Sequence, residues 1–137
     1  MINDTPTPSD RSSFNHAMAE VLHGHATLRQ LAKVADRVPD LRTDIALSMA
    51  DVMISHERTE ARLFALPFMT ITPITVTSTA ARARRRCIEY TSGDYILPSS
   101  NLAAAQFIDA LMAHLAAEEA WFDHEMEHRK EYLRSAA

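Results

Sequence analysis

Residues 56–67 read HERTEARLFALP and residues 114–125 read HLAAEEAWFDHE. Both stretches carry a histidine, a glutamate four residues on and an aromatic eight residues on. In each, His and Glu fall in line with the apolar positions of a helix-period pattern: Met49, Val52 and Leu63 around His56 and Glu60, Leu111 and Phe122 around His114 and Glu118. This restricts the fold more than any other feature. A carboxylate on a core-facing stripe is costly unless its charge is compensated. Positions i and i+4 lie about 40° apart around a helix axis, so the two side chains of each pair can reach one point. Helix bundles use this device, directing carboxylates and imidazoles inward from facing helices.

The rest of the chain supplies the helices. From about Ser13 to Arg37 the inner stripe is Phe14, Ala17, Met18, Val21, Leu22, His25, Leu28, Ala32 and Ala35, interrupted by Pro39 and Asp40. From about Leu41 to Leu66 it is Leu41, Ile45, Met49, Val52, His56, Glu60 and Leu63. Pro67 and Pro73 then bracket a connection whose β-branched run, TITPITVTST, is a poor helix former. A shorter helix follows from about Ser78 to Thr91 with Ala80, Ala83, Cys87 and Tyr90 inside, closed by Gly93 and Pro98. A long last helix runs from about Ser99 to Leu133, with Leu111, His114 or Leu115, Glu118 and Phe122 on its inner side. With 2 glycines in 137 residues, a turn-rich fold is disfavoured. The expectation is an all-α, antiparallel up-down-up-down four-helix bundle, a single domain over residues 13–134 behind a disordered lead at 1–12.

Composition excludes several classes. No apolar stretch approaches the roughly 20 residues of a membrane span, so no membrane partner is expected. The start, MINDTPTPSDRSS, lacks the basic and apolar regions of a secretory signal. One cysteine, Cys87, precludes an internal disulfide and fits a reducing compartment, with the cytoplasm as default. The run RARRR at 82–86 raises phosphate binding, but the chain carries a net charge of −4 and no accompanying nucleic-acid motif. A solvated helix face is the reading, with no nucleic-acid partner, and a homodimer through that helix is left open. Met49, Met53, Met112 and Met126 read as core filler. No Ser-His-Asp order, phosphate loop or Cys-x-x-Cys supports a hydrolase, nucleotide enzyme or thiol redox protein.

The histidines sort by direction. His16 and Glu20 share the four-residue spacing but lie with His23, Thr27 and Gln30 on the polar face of the first helix. They serve as an internal control for a surface pair. His124 and His128 also fall away from the inner stripe. His25, on the core side, adds a third imidazole to the two inner pairs. A metal would offset the cost of all five buried groups together, and imidazole with carboxylate suits iron, manganese or zinc. The alternative is a metal-free bundle whose polar core is satisfied internally. Trp121 and Phe122, within a turn of Glu118, are placed to screen it from water.

These stretches resemble the hemerythrin-like, HHE cation-binding family from about Phe14 to Met126. VLHGHATLRQLA is similar to its first helix, where a histidine precedes a Leu-Arg pair by three residues, and this maps to His25. HERTEARLFALP and HLAAEEAWFDHE resemble its second- and fourth-helix motifs. The resemblance implies a non-haem di-iron centre, two irons per chain, with His25, His56 and His114 as terminal ligands and Glu60 and Glu118 bridging. It also implies binding or sensing of dioxygen, nitric oxide or peroxide, with an oxygen-activating oxidase as the enzymatic alternative; the reading leans towards a binding protein. The family's third-helix histidine has no counterpart, since no His lies between His56 and His114. Cys87, Tyr90 or water would have to substitute, or the site would hold one metal, or zinc.

Overall fold

The computed structural model describes residues 8–66, 69–92 and 99–135. Among these the chain is all-α: α1 (Pro8–Arg37), a 3-10 turn (Pro39–Leu41), α2 (Arg42–Phe64), α3 (Ile74–Thr91) and α4 (Ser99–Ser135), with no strand. None of these helices is long and apolar enough to cross a membrane. The chain divides into two compact units, Met1–Met69 and Thr70–Ala137, each built on one helix pair.

In the first unit α1 begins at Pro8, so residues 8–12 are helical where a disordered lead was expected; residues 1–7 of that lead lie outside the described residues. A proline opens a helix readily, because its fixed φ suits the first turn and the N–H it lacks would have had no intrahelical partner. α1 ends where proline dictates. Val38 precedes Pro39, which disfavours the α region, and it sits at φ −127°. The 3-10 turn then reverses the chain into α2, with Leu41 N–H donating to the Val38 carbonyl at 2.9 Å. Phe14, Met18, Val21, His25, Leu28 and Ala35 are buried on α1, and Ala46, Met49, Ala50, Met53, His56, Glu60 and Leu63 on α2. Two expected core residues are exposed instead. Leu41 belongs to the 3-10 turn, off the α2 stripe, and Leu22 lies at the stripe's edge, where period alone does not decide burial. α2 stops at Phe64, and the expected stop at Pro67 lies outside the described residues.

In the second unit α3 begins at Ile74, four residues earlier than expected, and takes in much of the β-branched run assigned above to a connection. Local hydrogen bonds account for the difference. Pro73 is extended, at φ −60° and ψ 148°, and its carbonyl accepts from Val76 and Thr77 N–H at 3.0 and 3.1 Å. The hydroxyls of Thr77 and Thr79 donate back to the carbonyls of Pro73 and Thr75, at 3.3 and 2.7 Å. Val76 is buried, so tertiary packing outweighs a propensity difference worth only tenths of a kcal/mol per residue. The expected closure at Gly93 and Pro98 falls outside the described residues.

α3 and α4 run antiparallel. Moving from Thr70 through Thr79 to Arg86, the partners retreat from Glu125 through His114 to Gln106. Val76, Ala83, Cys87 and Tyr90 are buried on α3, and α4 buries a broad face that includes both His114 and Leu115.

Candidate functional site

Each unit carries its own set of buried donors. In the first, His25 on α1 and His56 on α2 bring their rings together, with centroids 4.8 Å apart and planes tilted by 57°. One turn along α2, Glu60 Oε1 lies 2.7 Å from His56 Nε2. All three residues are buried. The close approach depends on Gly24: a Cβ built there would lie 2.5 Å from His56 Nδ1 and 3.2 Å from Cε1. The His56 ring therefore occupies the space a side chain at 24 would fill. Above it an open groove, bordered by Glu20, Thr27, Ser55 and Thr59, has Gly24 and His56 in its lining.

In the second unit, His114 Nε2 lies 3.1 Å from Glu118 Oε1, with the Glu118 side chain fully buried. On α3 the residue level with His114 is Thr79, whose hydroxyl is 3.0 Å from His114 Nδ1. Thr79 thus stands beside His114 as His25 stands beside His56. Cys87 and Tyr90 lie eight and eleven residues further along α3, about 12 Å or more at 1.5 Å per residue. Tyr90 stacks on Phe107 there, with ring centroids 6.4 Å apart. Neither is level with His114.

Glu125 escaped the sequence analysis. It lies seven residues after Glu118, about two turns along the same face of α4, and is fully buried. Its Oε1 accepts from the Thr70 hydroxyl, from Thr70 N–H at 3.2 Å and from Trp121 Nε1–H at 3.2 Å; the indole also reaches Thr70 Oγ1 at 3.0 Å. The available signal was its place at the end of the second quoted stretch, in step with His114 and Glu118. Glu125 ties the segment before α3 to α4.

The control pair behaves as a surface pair. His16 Nε2 and Glu20 Oε1 are 2.8 Å apart, but their side chains are 79% and 39% exposed. The corresponding values are 3% and 10% for His56 and Glu60, and 7% and 0% for His114 and Glu118. His23, His124 and His128 are exposed. Arg82, Arg84 and Arg85 are exposed on α3, and Arg86 bonds Glu89 and Gln106 at 3.1 and 3.3 Å.

The five residues singled out from sequence are therefore buried His and Glu groups of a kind that could hold a metal ion: His25, His56 and Glu60 in the first unit, His114 and Glu118 in the second. Comparison with protein-family models, characterised proteins and solved structures returns no match.

Proposed function

We propose that this chain is a hemerythrin-like, non-haem metal protein. In this reading two irons are held by His25, His56, Glu60, His114 and Glu118, and the protein binds or senses dioxygen or a related ligand such as nitric oxide or peroxide. One observation carries the reading: each unit buries a histidine and a glutamate at ligand spacing on its apolar stripe, while the equally spaced His16 and Glu20 stay in solvent. A buried carboxylate needs a compensating charge. The donor set, imidazole nitrogens and carboxylate oxygens, fits iron, manganese or zinc.

The residues divide the work. His25, His56 and His114 offer imidazole nitrogens, and Glu60 and Glu118 offer carboxylates able to bridge. Bound there, iron would supply an open position for a small ligand. Trp121 and Phe122, both buried within a turn of Glu118, keep water from that part of α4. The single cysteine, Cys87, fits a reducing compartment such as the cytoplasm, and with Thr79 as the α3 residue beside His114 the histidine donors number three.

The experiment is to reconstitute the protein anaerobically with ferrous iron, count the metal by elemental analysis, and record its visible spectrum before and after dioxygen. About two irons per chain with oxygen-dependent charge-transfer bands is the expected result. Oxygen consumption that requires an added organic substrate would instead identify an oxidase. Retention of no metal would overturn the proposal.

A further inference from the structure

Thr79 makes contacts that determine more than its own placement. Its hydroxyl carries one hydrogen and two acceptor lone pairs. The shortest contact is to the Thr75 carbonyl, 2.7 Å away, which can only accept. With that hydrogen committed, the oxygen faces His114 Nδ1 at 3.0 Å as an acceptor, and the imidazole must donate. We propose that Thr79 is a positioning residue for His114: it holds a ring proton on Nδ1, so that the neutral ring presents an unprotonated Nε2 beside Glu118.

The consequence follows from the next contact. Nε2 lies 3.1 Å from Glu118 Oε1. With the ring neutral, that nitrogen and the carboxylate oxygen set two lone pairs against each other in a buried place unless a proton or a metal ion lies between them. A cation relieves that arrangement, and a metal ion can take both atoms as ligands at once. Imidazole ligands characteristically donate their other N–H to a neighbouring acceptor, which sets the tautomer and raises ligand basicity. As a statement about metal binding this rests on the reading above; as a statement about the tautomer it does not. It also gives a meaning to the absent third-helix histidine. On α3 the residue beside His114 supplies an orienting hydroxyl, where α1 supplies a second imidazole beside His56.

The test uses the full chain with its imidazoles labelled with nitrogen-15. The protonation of each His114 nitrogen is read by NMR in the metal-free protein, for wild type, Thr79→Val and Thr79→Ser, and zinc affinity is then titrated for all three. A proton on Nδ1 is expected in the wild type. Thr79→Val should shift it towards Nε2, where Glu118 becomes the acceptor, and should weaken zinc binding roughly 10- to 100-fold. Thr79→Ser should restore both properties, which a purely structural role for the methyl group would not produce. A wild-type ring with bare Nδ1 overturns the proposal, as does a Thr79→Val protein with unchanged tautomer and unchanged zinc affinity. If the wild type shows a Thr79-dependent proton on Nδ1 but binds neither zinc nor iron, the positioning role stands and the metal reading fails.

Discussion

His16–Glu20 on α1 and His56–Glu60 on α2 present the same two side chains at the same spacing, with nitrogen–oxygen separations of 2.8 and 2.7 Å. Helix geometry sets that distance and does so equally on either face. What differs is the surroundings: the first pair is hydrated, the second is withdrawn from water. An exposed pair is worth little and can be lost at little cost. A buried one must be compensated, and its compensation is where function is to be sought. The His114–Glu118 pair falls with the buried class at 3.1 Å, so separation alone does not sort the three pairs.

The comparison is most directly broken at the carboxylates. Glu60→Ala and Glu118→Ala should each lower metal affinity by on the order of 100-fold or more, since even residues that merely support a ligand cost 10- to 100-fold. Glu20→Ala should leave bound metal unchanged. Elemental analysis after reconstitution reads all three, and equal losses from Glu20→Ala and Glu60→Ala would erase the distinction. Chelation sharpens it next. Metal present at about 100 times its Kd contributes about 2.7 kcal/mol, so its removal should lower Tm by roughly 5–10 °C for a chain of this size. A melt indifferent to chelator would favour a core satisfied without metal.

Gly24→Ala turns on a sign. In an ordinary helix interior this change stabilises by up to about 1 kcal/mol. Here the new methyl meets the His56 ring, and destabilisation of about 1–3 kcal/mol is expected in urea unfolding, together with weaker metal binding. Stabilisation would show that the ring is free to move aside. Thr70→Val removes a hydroxyl donor to buried Glu125 and should cost about 1–3 kcal/mol with metal content unaffected. The smallest effect belongs to the control pair, where His16→Ala should change stability by less than about 0.5 kcal/mol.

Much of this was legible in one dimension, and the failures are specific. The four helices follow from stripes of period near 3.6, and the same periodicity that marks Val21 and Leu111 as inner marks His25, His56, Glu60, His114 and Glu118. The start of α3 was misread because Thr and Val are weak helix formers by themselves. The back-bonding of the Thr77 and Thr79 hydroxyls to the Pro73 and Thr75 carbonyls, and the burial of Val76, appear only once the chain is folded. With the helix start placed at Ser78, Thr79 fell in the expected first turn and was not recognised as the neighbour of His114. Cys87 and Tyr90 looked equally suitable until the register of α3 on α4 set them well along the helix from that histidine.

The sequence by itself determined the elements and their faces, because an α-helix converts spacing along the chain directly into direction in space. It thereby identified two inner His–Glu pairs and separated them from the outer one. Tertiary structure alone decided what stands across from each inner histidine: Gly24 and His25 beside His56, and Thr79 beside His114. Those contacts depend on how one helix is set against its neighbour, a quantity fixed by packing rather than by any local pattern. The same holds for Glu125, whose burial is compensated by Thr70, 55 residues away in the chain.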